Sequence, residues 1–133
     1  MTLTERLRAV LDEILPTQQE EDGAITVHHD ETFASLRVVT IAEGLDMVSL
    51  TQILVWDLPL DSKIRAKIAK QASDTLLGTV SLVEKSAARN SRKTADVLLR
   101  YNFPASGLTD DALRTLIMMV LATGADVRRA LVA

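Results

Sequence analysis

His28-His29-Asp30-Glu31 is the only run in the chain where metal-capable side chains cluster. A zinc site wants three or four convergent ligands. If Val27 to His29 is strand, the two imidazoles point to opposite faces and cannot share an ion. There is no third histidine and no cysteine. Disulfide scaffolds, thiolate metal sites and cysteine nucleophiles are therefore excluded, and the run reads as a polar turn.

Other chemistry is as thinly signalled. A nucleophile needs a base held against it, and both histidines sit side by side in one turn. No G-x-S-x-G elbow and no S-x-x-K motif occurs. Asp110-Asp111, the obvious carboxylate pair, suits a helix N-terminus, where acids meet the positive end of the helix dipole. The five glycines are scattered singly, so no phosphate-cradling loop is present. The reading is of a chain that is not an enzyme and has no catalytic, metal-binding or cofactor-binding residues.

Two surfaces stand out instead. Lys63, Lys67 and Lys70 fall at i, i+4 and i+7 of one expected helix and make a basic stripe, extended by Arg89, Arg92 and Lys93 in a later connection. Exposed helix faces are normally charged, so a solvated face is the simpler account of the stripe. The run 116–121 (LIMMVL) is apolar all the way round. Such a helix is buried on more than one side. One side is a sheet; the other is a neighbouring helix, a second subunit or a partner. Leu116, Met118 and Met119, with the three lysines, form the candidate interaction surface, since methionine suits an adaptable contact.

Residue periodicity supplies the elements that must position these groups. Leu3, Leu7, Val10, Leu11, Ile14 and Leu15 recur at helical spacing. Thr2 with Glu5 forms a capping-box pattern, and Pro16 ends the helix. Residues 17–23 (TQQEEDG) read as a polar loop. Ile25 and Val27 mark a short strand, 28–32 a turn, and 33–42 a second strand. Residues 46–58 make a long third strand, with Val48, Leu50, Leu54, Trp56 and Leu58 on one face and Ile53 and Val55 as exceptions. Pro59 closes it. Asp61 or Ser62 caps a second helix with Ile64, Ile68, Ala72 and Leu76 on its stripe, ended by Gly78. Strands follow at 79–84 and 95–103. The polar connection 85–93 between them is long for a hairpin and is expected to be mobile. Thr109-Asp110-Asp111 starts the last helix, Gly124 is expected to break it, and 125–131 adds one short turn. The order α-β-β-β-α-β-β-α, with short links between strands, demands antiparallel pairing. The expected fold is α+β: one domain over 1–133, an antiparallel sheet of about five strands, and helices on one face.

Composition bounds the rest. A chain of 133 residues buries about two thirds of its unfolded surface, enough for a core without staples. The opening residues show no basic and then apolar leader, and the longest nearly apolar stretch is too short to span a bilayer. A soluble, cytoplasmic protein without membrane association is expected. Residues 1–62 hold 3 Arg and no Lys against 12 acids, net −9, whereas 63–133 hold 12 Lys or Arg against 6 acids, net +6. The halves either attract each other within the fold or steer a charged partner. An acidic pI of 5.3 and four aromatic residues argue against nucleic acid.

The run Arg100-Tyr101-Asn102-Phe103-Pro104-Ala105-Ser106-Gly107-Leu108-Thr109, leading into Asp110-Asp111-Ala112-Leu113, resembles the corresponding region of the YbjN family, described as bacterial sensory transduction regulators. The element order matches the type III secretion chaperone-like fold over most of the chain. The resemblance implies a role in regulation or in chaperone-like binding. Secretion chaperones with this fold dimerise and hold an unfolded segment of another protein, although shared fold does not carry function. The leading expectation is thus a non-catalytic, homodimeric adaptor that binds a protein partner. The rival is a small-molecule sensor or an enzyme with a site between sheet and helices, lined by Trp56, Tyr101 and Arg100.

Overall fold

The computed structural model describes residues 1–86 and 92–133. Arg89 and most of the connection expected to be mobile lie outside the described residues.

Leu3–Ile14 forms α1, with the Thr2 hydroxyl accepting from the Glu5 N–H at 3.2 Å. Its apolar stripe is real: Leu7 and Leu11 are fully buried, each worth roughly 2 kcal/mol over exposure. Strands β1 (Thr17–Gln19), β2 (Ile25–His29), β3 (Thr32–Ala42) and β4 (Leu45–Pro59) follow as an antiparallel meander. Helix α2 (Ser62–Asp74), capped by Asp61, crosses to β5 (Thr79–Ser86), which runs back into β6 (Lys93–Pro104). Helix α3 (Asp110–Val132) closes the chain, capped by Thr109. The sheet order is β1-β2-β3-β4-β6-β5, antiparallel throughout. Strand β6 therefore sits between β4 and β5.

The α+β class, the antiparallel sheet and the three helices agree with expectation, and the sheet has six strands. The sixth is β1, read from sequence as loop. Thr17-Gln18-Gln19 pairs with Val27, Thr26 and Ile25 but has no apolar alternation to betray it. A short polar strand of this kind blunts a sheet edge.

Pairing and burial together assign the two faces. Ile25 and Val27 of β2, Ala34 and Leu36 of β3, Val48, Leu50 and Leu54 of β4, Val97, Leu99 and Phe103 of β6 and Val80 of β5 are buried, and they pack with α1, α3 and Ile68 of α2 in one core. The helices cover this face. The other face has no second layer among the described residues. No helix among the described residues is long and apolar enough to cross a membrane.

Helix boundaries differ at two glycines. α2 ends at Asp74, with Ala72 exposed and Leu76 89 % exposed, so Ile64 and Ile68 alone make its apolar contact. Gly78, at φ +86°, serves the entry to β5, where a side chain would press on Leu99 and the Arg100 carbonyl. Gly124 does not break α3. It lies where the helix crosses β4 over Gln52, and a Cβ there would stand 1.9 Å from Gln52 Oε1. A mid-helix glycine costs about 1 kcal/mol relative to alanine, and close approach is what it provides.

Candidate functional site

The β2–β3 turn is only Asp30-Glu31, both at positive φ (43° and 63°), which leaves both histidines on strand. His28 faces the open side and is exposed, while His29 is half-buried with Nε2 3.5 Å from Asp30. Among the described residues, no three His, Asp or Glu side chains converge as metal ligands. On α2, Lys63 and Lys70 are exposed and Lys67 is half-buried. Lys70 pairs with Asp74 at 3.1 Å, and Arg65 pairs with Glu84 at 2.6 Å. Of the basic stripe, Lys70 alone has a counter-charge among the described ion pairs.

Helix α3 divides its methionines. Met118 packs against the core, whereas Met119 is 51 % exposed. Met119 and the half-buried Leu116 join Leu108, Asp111, Ala112 and Thr115 around a shallow groove of about 440 Å³. It is a mostly apolar surface with a single carboxylate, Asp111, on its wall.

The residues expected to line a pocket between sheet and helices do not meet. Tyr101 lies on the helix side, stacked on Phe103 with ring centroids 5.2 Å apart. Arg100 and Trp56 lie on the open side. For Trp56 the cause is a break in strand phase. Ile53 pairs with Leu98 and Val55 with Val97, so one extra residue is inserted in β4, and a second irregularity follows before Leu58 pairs with Ala95. A one-residue insertion reverses which face each later side chain takes. Leu54 and Val55 are both buried, and Trp56 turns outward, 54 % exposed.

A polar clamp fixes this kink. Asp57 adopts φ +52°, a conformation uncommon for residues other than glycine but one that aspartate takes more readily than most. Its N–H donates to Asp96 Oδ1 at 3.0 Å. Lys85 Nζ bridges Asp57 at 2.6 Å and Asp96 at 2.9 Å, and it sits 5.9 Å from the Trp56 ring centroid. Asp57 and then Asp96 raise the Lys85 ammonium above its ordinary pKa. Burial pushes the Asp96 carboxyl up, but Lys85 and the Asp57 N–H outweigh it and leave it below the usual carboxylate value. On the helix side of the same kink, Arg128 Nη1 donates to the Leu54 carbonyl at 2.7 Å. Both the strand break and the clamp went unread in the sequence. Ile53 and Val55, the two residues that broke the alternation, were the available signal.

Ring contacts continue from this point. Phe33 lies 6.1 Å from Trp56 and His28 lies 6.3 Å from Phe33. Val83 of β5 is 51 % exposed nearby on the same face. The arrangement offers a rigid aromatic surface.

No family model matches the chain, and no curated protein matches it in sequence. Among solved structures, the chain is similar to YbjN from E. coli, provisionally assigned as a transcription regulator, with a TM-score of 0.55 over 93 % of this chain and 87 % of that one, at 12 % identity. At that identity the likeness establishes a shared α+β fold.

Proposed function

We propose that this chain is a non-catalytic regulatory or chaperone-like adaptor that self-associates as a homodimer and binds a segment of another protein. The observation that carries the reading is apolar surface left in solvent in two separate places. One is the uncovered sheet face with Trp56 and Val83; the other is the α3 groove with Leu116 and Met119. Contiguous exposed apolar surface marks interaction sites far more often than it decorates a solitary domain. The fold shared with a provisionally assigned regulator supports the regulatory half of the proposal.

Self-association is assigned to the α3 groove. Met118 is half-buried against the core, so a charge there would disturb the domain itself. Met119 tests the surface alone. Met119→Glu places an unpaired charge in the contact and is expected to weaken the dimer about thirtyfold or more. Sedimentation velocity should show a dimer for the parent chain and a monomer for the variant, with the same circular dichroism for both. A parent chain that stays monomeric at high concentration, or a variant dimer of unchanged affinity, sinks the assignment.

A further inference from the structure

The open face of the sheet is built in rows. Pairing sets His28 opposite Phe33, Phe33 opposite Ile53, and Ile53 opposite Leu98. Directly opposed residues share a face, roughly 5 Å apart. An apolar strip therefore crosses four strands, widened by Trp56 beside Phe33 and by Val83 on β5. The adjoining row is polar: Thr26, Ser35, Thr51 and Arg100 oppose one another in turn. Arg100 stands two residues from Leu98 on β6, hence roughly 7 Å along the strand.

The strip is held in place before anything binds. Trp56 is presented by a kinked strand whose positive-φ residue, Asp57, is tied to Asp96 and Lys85. A preformed aromatic anchor loses little freedom on binding, and tryptophan and arginine dominate binding hot spots.

Charge decides what the strip would accept. Asp57 and Asp96 hold Lys85 between them, two carboxylates against one ammonium, so the Trp56 end keeps a net negative charge, and Arg37 pairs with Asp22 at 2.8 Å. Arg100 is exposed, and among the described residues no carboxylate pairs with it. Positive charge without a counter-ion beside the strip is thus confined to Arg100, four residues along β6 from Asp96 and the clamp. A polyanion crossing the whole face would meet Glu20, Glu21 and Asp22, which line its β1 side together with Ser35 and Arg37. One carboxylate at β6 avoids them, because β6 is three strands from β2, roughly 14 Å away. A second copy docked face to face would offer Arg100 only the carboxylates at its own β1 side, Glu20, Glu21 and Asp22, or in its own clamp.

We infer that the open sheet face docks a short acidic and apolar protein segment. A bulky apolar side chain packs on Trp56, Phe33, Ile53 and Leu98, and a carboxylate beside it pairs with the Arg100 guanidinium, whose fork accepts a carboxylate through two parallel hydrogen bonds. The inference rests on the protein-binding reading above and names the chemistry of the partner.

The test uses the full chain and three series of short fluorescein-labelled peptides with the same leucine and serine spacing, carrying glutamate, lysine or neither. A short single-stranded RNA is the fourth probe. Binding is read by anisotropy, and Trp56, the only tryptophan, reports contact through its emission. The glutamate series is expected to bind and move the emission to the blue. Trp56→Ala should weaken it roughly thirtyfold. Arg100→Glu should weaken it roughly tenfold and turn the preference toward the lysine series. Both residues are exposed, so thermal midpoints serve as the folding control. Equal binding of the glutamate and lysine series, or preference for RNA, overturns the acidic partner and leaves protein or nucleic-acid binding in its place. A blue shift without peptide that tracks dimer mass overturns it in favour of a second copy. No binding by any probe overturns it outright, while Met119→Glu still judges the adaptor reading by itself.

Discussion

The two faces of this sheet are made from the same strands and have opposite characters. On the helix side, alternate residues of β2, β3, β4 and β6 are buried, with Val38 and Tyr101 half-buried. Even the polar exception there is tied down: Gln52 Nε2 donates to Thr32 Oγ1 at 2.9 Å and to the Leu121 carbonyl at 3.1 Å, and the Thr32 hydroxyl donates to the His29 carbonyl at 2.6 Å. One connected path thereby joins α3, β4, β3 and β2. On the open side, the intervening residues are half-buried or exposed except Asp96 of the clamp, and an aromatic strip adjoins a polar row. Period two makes this possible, because each strand contributes independently to two surfaces, one serving stability and the other available for recognition.

Truncation should separate the faces most sharply. Leu50, fully buried on the helix side, should cost roughly 2–5 kcal/mol as Leu50→Ala. Leu98, half-buried on the open side, should cost roughly 1 kcal/mol or less as Leu98→Ala, because only part of its area leaves water. Urea unfolding of both variants measures the difference. Equal costs would mean that the open face is covered in solution.

Gly124 sharpens the comparison from within the closed face. Gly124→Ala drives a methyl group into Gln52 Oε1 and should destabilise the protein by roughly 1–3 kcal/mol, the usual cost of overpacking, despite the better helix propensity of alanine. Adding Gln52→Ala removes the collision. The double variant should therefore recover part of the loss seen for Gly124→Ala, a non-additive outcome read from a double-mutant cycle. Strict additivity would show that the helix sidesteps and that this crossing is not fixed by the glycine.

Much of the closed face was legible. The spacing of Leu3, Leu7 and Leu11, the caps Thr2, Asp61 and Thr109, and the alternation of Val97, Leu99 and Phe103 each report local physics, and the structure follows them. The misses share one cause: they depend on contacts made across the chain. Gly124 looks like a helix stop until Gln52, 72 positions away, is seen beneath it. Thr17-Gln18-Gln19 carries no strand pattern, and backbone pairing with β2 makes it one. The alternation of Val48, Leu50 and Leu54 puts Trp56 on their face, toward the helices, and a one-residue irregularity in β4 turns it to the other. The open-face strip was illegible for the same reason: Phe33, Ile53, Leu98 and Trp56 become neighbours only through register.

The smallest expected effect concerns the clamp that turns Trp56 outward. Asp96 has a folded pKa below its ordinary value of 3.8. Its contribution to stability is therefore present above that value and is lost as pH falls through the lower folded one. Lys85 has a folded pKa above 10.5, so its contribution is present below 10.5 and is lost as pH rises through the higher folded one. The clamp accordingly holds across the whole interval between the two. Trp56 emission should be flat there and change only at the acid and alkaline ends. Lys85→Met removes the ammonium that holds Asp96 down, while the burial that pushes its carboxyl up remains. The acid transition of Trp56 emission should then move to higher pH, into the range where the parent chain is still flat, with little change in thermal midpoint at neutral pH because Lys85 is an exposed residue. Other carboxylates titrate at the acid end, so the comparison is between variant and parent rather than with a fixed value. Superimposable titrations would show that the kink at Asp57 is held by backbone pairing alone, and that the exposed tryptophan on the open face owes nothing to the charges beneath it.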